Sequence, residues 1–346
     1  MTEGDAPFAR LLRKVVEGAV LTGDEARLAF EAVMDGAVPP ASLAGFLVAL
    51  RMRGETATEI AAFVRTMRER AVLVRADDPG LIDTCGTGGD GAGTFNVSTV
   101  AALVVAGCGV PVAKHGNRSV SGRCGSADLM EGLGIRADLD PEEATAALRA
   151  CGFAFLFAPR LHPSMCHAAA VRRELGVRTV FNLLGPLANP AQARHQLLGV
   201  YDPAWVEPAA RVLLDLGTER AWVVHGSGTD EMALHGPTMV AELRGGCIRT
   251  ITLTPEDAGL RRAPLEALAG GDRAQHIRCA ESVLRGESGP RRDVVLLNAA
   301  AALSIAGRAS GLVDGVARAA QAIDRGDAWR VVERLRALYP ADDGSR

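Results

Sequence analysis

Residues 81–134 read LIDTCGTGGDGAGTFNVSTVAALVVAGCGVPVAKHGNRSVSGRCGSADLMEGLG, and this stretch decides the fold. A short, mainly apolar run at 81–83 leads into a glycine-rich loop, and a second run at 110–113 leads into a turn of polar and basic residues. The repeat predicts buried parallel strands that each end in a polar loop. Ligands bind at that edge of an open parallel sheet, so both loops are candidate binding elements.

The first loop contains glycines whose backbone amides can approach a ligand closely: Gly86, Gly88, Gly89, Gly91 and Gly93. Asn96, Ser98 and Thr99 follow, just before the helical pattern of residues 100–105. Their side chains can cap that helix, whose positive end attracts anions. The loop therefore predicts a phosphate site.

The second loop carries a dense group of polar residues: Lys114, His115, Asn117, Arg118 and Ser119. Only Lys14 and Lys114 are lysines among 38 basic residues, which hints at a need for a compact charge on phosphate. His115 has two interpretations, since it can hydrogen-bond a reacting group or simply cap the loop.

The glycine loop has two other interpretations. Gly86, Gly88 and Gly91 match the spacing of a dinucleotide-binding fingerprint. That fingerprint needs a helix directly on the glycines and an acidic residue after the second strand, and here the helix begins near residue 96 and the second strand ends in Lys-His-Gly-Asn-Arg. A glycine-rich turn without a ligand is the remaining alternative.

The whole chain has 346 residues, 48% of them hydrophobic, and a net charge of −3. Such a chain can form one large or two unequal domains, and it lacks the basic field of general nucleic-acid binding. The first residues lack the layout of a signal peptide, and no apolar run reaches membrane-spanning length. We therefore expect a cytoplasmic protein with neither nucleic-acid nor membrane partners.

Cysteine and histidine patterns exclude several classes of site. The seven cysteines are odd in number and form no C-x-x-C pair, which argues against a disulfide framework or structural zinc. His162 and His167 do not form an H-E-x-x-H motif, and no G-x-S-x-G occurs. Catalytic zinc and the commonest serine hydrolase are thus disfavoured.

Residues 1–75 predict helices only, with capping boxes at Thr22 with Glu25 and Thr56 with Glu59. We expect a small all-helical domain whose remaining apolar faces can form a dimer interface. Residues 76–163 and 191–346 predict a larger α/β domain with a mainly parallel central sheet. Residues 164–190 are expected to return to the helical domain.

Within the α/β part, apolar runs predict strands at 153–157, 197–201 and 221–225. Residues 158–163 predict a loop after the first of them, residues 237–256 predict antiparallel strands, and residues 273–338 are largely helical.

Asp230 and Glu231 follow one strand on a flexible loop, where paired carboxylates suit Mg²⁺ shared with a substrate phosphate. Such a pair is also common at a helix N-terminus. Arg172, Arg173 and Arg178 add positive charge to the segment at 164–190. The alternative for these arginines is a solvated helix face.

Four motifs, at 83–102, 112–134, 162–190 and 228–243, occur together in one order. In this they resemble the anthranilate phosphoribosyltransferase family, which joins anthranilate to phosphoribosyl pyrophosphate in tryptophan biosynthesis. The resemblance covers nearly the whole chain. It implies a helical domain hinged to an α/β domain, Mg²⁺ as the metal, and a homodimer formed through the helical part.

The resemblance also implies roles for individual residues. Phosphoribosyl pyrophosphate would bind Gly86, Gly89, Asp90, Thr94, Asn96, Val97, Ser98, Thr99, Lys114, His115, Gly116, Asn117, Arg118, Ser119, Val120, Ser121, Gly122 and Ser126. Anthranilate would bind Gly86, Asn117 and Arg172, with His115 and residues 159–165 lining its approach, and magnesium would bind Ser98, Asp230 and Glu231. Cys166 departs from the pattern, because the family often has a basic residue there.

The implied reaction displaces pyrophosphate from the anomeric carbon of ribose by the aromatic amine. No side chain is an obvious acid or base, and His115 is the one possible candidate. Two rival functions remain open at this point. They are a pyrimidine nucleoside phosphorylase and a nonenzymatic nucleic-acid-binding relative of the same fold.

Overall fold

The structure is a computed structural model that describes residues 7–76, 78–118 and 124–341. No helix in these ranges is long and apolar enough to cross a membrane.

The N-terminal part is a bundle of four helices: α1 (Pro7–Val16), α2 (Gly23–Met34), α3 (Pro40–Arg53) and α4 (Ala57–Glu69). Both predicted capping boxes are present, at Thr22 and at Thr56. The bundle core contains stacked aromatic rings, with the centroids of Phe30 and Phe63 4.8 Å apart. Local capping signals therefore define where α2 and α4 begin.

The rest of the chain forms a seven-stranded sheet of β1 (Ile82–Gly86), β2 (Val112–Gly116), β3 (Phe153–Phe157), β4 (His195–Gly199), β5 (Arg220–Gly226), β6 (Thr238–Arg244) and β7 (Cys247–Leu253). Their order is β3-β2-β1-β4-β5-β6-β7. The first five strands are parallel, and β6 and β7 are antiparallel. The predicted fold class is confirmed.

The strand order reverses direction at β1. From β1 the chain moves outward to β2 and β3, and it then returns to place β4 on the other side of β1. The crevice outside the carboxyl ends of β1 and β4 is the position where open α/β sheets bind ligands.

The remaining helices are α5 (Val97–Gly107), α6 (Ser126–Gly132), α7 (Pro141–Cys151), α8 (Ala158–Leu161), α9 (Cys166–Leu175), α10 (Phe181–Leu187), α11 (Val206–Asp215), α12 (Arg273–Leu284), α13 (Pro290–Ile305), α14 (Leu312–Asp324) and α15 (Asp327–Leu338). Helices α5 and α13 contact β1 and β4 respectively, and α11 contacts β5 and α4. The expectation of a loop at 158–163 is wrong in part, because α8 forms a helical turn with Pro159 in its first positions, where proline is well tolerated.

Helices α9 and α10 lead the chain back to the helical bundle. Helix α9 contacts α2 and α3, and α10 contacts α4. The Arg68 guanidinium of α4 donates to the Leu187 carbonyl at 3.1 and 2.7 Å, which ties the end of α10 to the bundle. The predicted domain boundaries at 75, 163 and 190 stay a prediction.

Candidate functional site

The segment that follows β5, which contains Asp230 and Glu231, passes across the ends of β1, β4 and β5. An added Cβ at Gly86 would lie 2.4 Å from Asp230 Oδ2, and one at Gly199 would lie 1.6 Å from the Asp230 carbonyl oxygen. At Gly226 a Cβ would lie 2.3 Å from the Glu231 carbonyl oxygen. Glycine at these three positions therefore lets both carboxylate residues reach the crevice.

The two carboxylates hold the first loop in place. The Gly88 amide donates to Asp230 Oδ2 at 2.6 Å, and the Ser98 amide donates to Glu231 Oε1 at 3.0 Å. The Asp230 amide in turn donates to Asp90 Oδ2 at 3.3 Å. The glycine loop, the first turn of α5 and the segment after β5 thus form one connected site.

Three carboxylates in this space repel one another. Burial raises the pKa of Asp230, and the nearby charge of Asp90 raises it further. Burial also raises the pKa of Glu231, with a second contribution from Asp230 and an opposing one from Lys114. A group of acids that resist ionisation in this way is an environment that a cation would stabilise.

The oxygen donors of Ser98, Asp230 and Glu231 fit Mg²⁺, which prefers oxygen ligands and usually shares them with substrate phosphate and water. Within the described ranges, no three His, Cys, Asp or Glu side chains form an all-protein metal cage. A site completed by a substrate phosphate does not require such a cage.

Lys114 brings positive charge to the same place. Its side chain is buried, and Nζ lies 2.5 Å from the Thr84 carbonyl oxygen and 3.3 Å from Ser98 Oγ. The ammonium therefore lies at the N-terminal turn of α5, where the helix dipole also favours an anion.

The start of α5 differs from the expectation in one respect. The helix begins at Val97, but the Asn96 side chain makes no capping hydrogen bond. Its Nδ2 donates to the Cys124 carbonyl at 3.1 Å, and its Oδ1 lies 2.6 Å from His276 Nδ1. These tertiary partners replace the local cap, so the prediction of an Asn96 cap is wrong. Val97 and Thr99 are buried in the first turn of α5.

Residues 269 and 270, far along the chain, pair with the end of the glycine loop. Thr94 forms a β-bridge with Ala269, and the Gly270 amide donates to the Gly93 carbonyl at 2.9 Å. Thr94, predicted to bind phosphoribosyl pyrophosphate, is thus held in place by residues 269 and 270, which precede α12.

Asn117, just after β2, and Ser126, at the start of α6, hydrogen-bond each other. The Asn117 amide donates to Ser126 Oγ at 3.2 Å, and that hydroxyl donates to the Asn117 carbonyl at 3.1 Å. Gly116 is required beside them, because a Cβ there would lie 2.4 Å from Ser126 Oγ. Four residues predicted to bind phosphoribosyl pyrophosphate lie outside the described ranges: Ser119, Val120, Ser121 and Gly122.

Arg118 points toward helix α6. Its guanidinium bonds Asp128 at 3.1 Å and Glu131 at 2.8 Å, and it lies 5.6 Å from the Phe157 ring centroid. These carboxylates pair directly with the Arg118 guanidinium at the protein surface.

His115 faces away from Lys114, because successive residues of a strand point to opposite faces of the sheet. Its Nδ1 lies 3.0 Å from the Gly185 carbonyl, and its ring centroid lies 5.1 Å from that of His162. Burial lowers the pKa of His115 to about 3 and that of His162 to about 4, so both rings are neutral at pH 7. A carbonyl partner assigns the proton to Nδ1, which leaves Nε2 as an acceptor without a partner in the described residues.

Arg172 lies on α9 with its guanidinium 4.9 Å from the Phe181 ring centroid. Burial lowers its pKa, and no carboxylate of the described residues pairs with it. A half-buried cation stacked on an aromatic ring and without an acidic partner suits a carboxylate ligand. Cys166 is exposed at the beginning of the same helix.

Two residues at the site were not predicted. Arg178 lies beside Gly89, with Nε 3.2 Å from where a Cβ would stand, and the sequence showed only its charge. His276 bonds Asn96 from 180 positions away, and no local pattern signals a contact of that range.

Comparison with known proteins agrees with this architecture. Residues 9–71 match the helical bundle domain of a glycosyl transferase family, and residues 78–329 match the a/b domain of the same family. The two matches together span most of the chain.

Named relatives are similar over nearly their full length. Anthranilate phosphoribosyltransferase of Symbiobacterium thermophilum is 56% identical over 94% of this chain and 96% of that protein. The crystal structure of the Thermus thermophilus enzyme of that name has a TM-score of 0.90 at 49% identity, covering 95% of this chain and 98% of that one. The Saccharomyces cerevisiae enzyme in complex with phosphoribosyl pyrophosphate and Mg has a TM-score of 0.89 at 27% identity, covering 97% and 98%. The chain belongs to the anthranilate phosphoribosyltransferase family.

Proposed function

We propose that this chain transfers the phosphoribosyl group of phosphoribosyl pyrophosphate to the amine of anthranilate and releases pyrophosphate, a step of tryptophan biosynthesis. One observation carries the proposal within the molecule. Lys114 and Glu231 both contact Ser98 at the start of α5, and the adjacent Asp230 accepts a hydrogen bond from the Gly88 amide of the glycine loop. A cation, two carboxylates and the backbone of a helix N-terminus in one crevice suit a metal-assisted diphosphate ligand.

The donor diphosphate lies in this proposal between the glycine loop and the first turn of α5. Negative charge accumulates on pyrophosphate as its bond to the anomeric carbon breaks. The Lys114 ammonium and the helix N-terminus are already placed for that charge, so they need no rearrangement during the reaction. Catalysis then comes chiefly from electrostatics and positioning.

Ser98, Asp230 and Glu231 are the residues that would hold Mg²⁺. When bound, the metal supplies charge neutralisation for the diphosphate. The carboxylates also act without it, because they anchor the amides of Gly88 and Ser98 and so shape the loop.

Arg172 is the proposed partner of the anthranilate carboxylate, since its planar guanidinium can bind a carboxylate through two hydrogen bonds. Neutral His115 has a buried Nε2 without a partner among the described residues, and this acceptor would reach a substrate N–H group only on opening of the site. An aromatic amine is uncharged at pH 7, so alignment of its lone pair with the anomeric carbon matters more than strong base catalysis. Gly86 and Asn117 complete the proposed acceptor contacts.

The proposal extends to assembly and location. Exposed apolar side chains on the helical bundle, among them Val16 and Met52, supply a surface for a homodimer through that unit. Light scattering coupled to size-exclusion chromatography should give twice the chain mass at micromolar concentration, and a monomer would contradict this. A cytoplasmic location and a boundary of the helical domain near residue 75 also stay proposals.

The activity is tested by following the loss of anthranilate fluorescence with phosphoribosyl pyrophosphate and Mg²⁺ present, and with each omitted in turn. Loss that requires all components supports the proposal. No loss with folded protein contradicts it. Cleavage of thymidine by phosphate, or a gel shift with nucleic acid at physiological salt, would instead support the rival functions.

A further inference from the structure

Arg178 occupies a short, fixed turn between α9 and α10. Gly176 ends α9 in the left-handed conformation, with its amide donating to the Arg172 carbonyl at 3.3 Å. On the other side, the Thr179 amide donates to Asn182 Oδ1 at 3.1 Å. The backbone that carries Arg178 is therefore held at both ends.

The Arg178 side chain extends from this turn to the glycine loop. Its guanidinium lies 4.4 Å from the Tyr201 ring centroid, and its Nε would lie 3.2 Å from a Cβ on Gly89. Tyr201 is itself attached to the loop, since its amide donates to Thr87 Oγ1 at 3.0 Å. Stacking on a fixed ring orients the guanidinium over the loop backbone.

The charge of Arg178 has no acidic partner. In the part of the chain that the structure describes, no carboxylate forms an ion pair with it and no protein acceptor takes its N–H groups. A guanidinium carries five donors, and a half-buried one normally satisfies several of them on protein acceptors. These N–H groups are available to bind a ligand near Gly89, whereas the Lys114 ammonium lies at the other end of the site, beside Ser98.

We infer that Arg178 binds a phosphate oxygen of the donor's diphosphate over Gly89, as a further binding residue that the connector between the two domains contributes. This inference rests on the proposed function, because it assigns a second cation to the same donor. A charge-assisted hydrogen bond from arginine to phosphate is among the stronger polar contacts in proteins. Because Arg178 lies six residues after Arg172, donor binding also restrains the segment that presents the acceptor's arginine.

The test compares Arg178→Met, Arg178→Ala and Arg173→Ala with the wild type. Methionine keeps an unbranched side chain against Tyr201 and removes the charge, whereas alanine removes both. Arg173 is exposed on α9 and provides a control for net charge. Calorimetry measures the affinity for inorganic pyrophosphate with Mg²⁺ present, and turnover gives KM for each substrate. Circular dichroism confirms folding.

Both Arg178 variants should bind pyrophosphate about 10- to 100-fold more weakly and show a matching rise in donor KM, with a smaller effect on kcat. Arg173→Ala should stay within about twofold of the wild type. The inference is overturned if Arg178→Met binds like the wild type, or if Arg173→Ala loses as much affinity. If the wild type binds pyrophosphate but does not turn over anthranilate, the proposed function is refuted. The calorimetric comparison of the Arg178 variants with the wild type then still tests the role of Arg178.

Discussion

The absence of a side chain at Gly199 allows the Asp230 backbone to pass close to β4. A Cβ at this position would meet the Asp230 carbonyl oxygen at 1.6 Å, a distance that only movement of the backbone can relieve. Gly199→Ala should lower the free energy of unfolding by about 2–3 kcal/mol and reduce turnover, because overpacking displaces the carboxylate segment. Urea unfolding and the fluorescence assay measure both effects. Gly311→Ala, where nothing lies within 4 Å, is the control and should change neither by much.

The carboxylates at residues 230 and 231 should separate activity from stability. Asp230→Asn with Glu231→Gln removes like charges that face each other and Asp90, so the metal-free protein should melt at the same or a higher temperature. Turnover should fall about 100-fold or more, because the proposed metal ligands are lost. Unchanged kcat at limiting Mg²⁺ would count against the assignment.

Arg172 should determine the apparent affinity for the acceptor. Loss of a guanidinium–carboxylate pair predicts that Arg172→Ala raises the anthranilate KM about 10- to 100-fold. The donor KM should change little. Steady-state kinetics with each substrate varied in turn distinguish these outcomes, with exposed Arg173→Ala as the matched control. A defect confined to the donor would refute the role.

At the scale of elements, Glu59 joins three parts of the helical bundle. Its fully buried carboxylate accepts from the Leu21 amide at 2.9 Å, from Arg53 Nη2 at 2.6 Å and from the Thr56 amide at 2.9 Å. Glu59→Ala leaves these donors unpaired, and it should lower the free energy of unfolding by about 3–5 kcal/mol.

Glu69 on the same helix provides the control. It pairs with Arg27 across 3.4 Å at an exposed position, where ion pairs contribute little. Glu69→Ala should therefore change stability by less than about 1 kcal/mol in the same denaturant titration. Equal losses in the two variants would show that burial of the Glu59 network is not what stabilises the bundle.

Elements were predictable where their signals are local. The capping boxes at Thr22 and Thr56 each join residues only three positions apart, and the buried strands are short apolar runs bounded by turn residues. Asn96 behaves differently, because its side chain is held by a distant residue. The residues near Asn96 in sequence indicate that it can cap α5, but they do not include His276. The tertiary hydrogen bond that replaces the cap was therefore not predictable.

At the scale of the whole molecule, the buried histidines predict sensitivity to acid. Unfolded histidine has a pKa near 6.5, whereas burial lowers the pKa of His115 to about 3 and of His162 to about 4. Below pH 6.5 the unfolded chain binds protons that the folded chain excludes. Stability that is present above pH 6.5 is therefore lost as the pH falls toward 4, by about 1 kcal/mol per pH unit for each histidine.

His162→Gln should reduce this dependence. Glutamine does not titrate, so the variant should show a shallower fall of the urea midpoint between about pH 6.5 and about pH 4.5 than the wild type. The midpoint at pH 7 serves as the reference for each protein. Parallel curves for the two proteins would contradict the assigned burial effect.

The position of the crevice was predictable, because ligands bind at the carboxyl ends of parallel strands, and the structure brings Glu231, Ser98 and Lys114 together at that edge of the sheet. The strand order was not predictable, because placing β4 beside β1 depends on pairing across more than 100 residues. For the same reason Arg178 appeared only as a charge. Its role depends on Tyr201 and Gly89, which come from different parts of the chain.

The most direct test of the account is calorimetric titration of phosphoribosyl pyrophosphate into the wild type and into Lys114→Met, with and without Mg²⁺. The account predicts tight binding only for the wild type with Mg²⁺, and a loss of about 10-fold or more in the variant, because Lys114 is the buried cation at the start of α5. Equal affinity in both proteins, or binding that ignores Mg²⁺, would contradict the claim that the donor diphosphate lies at Ser98.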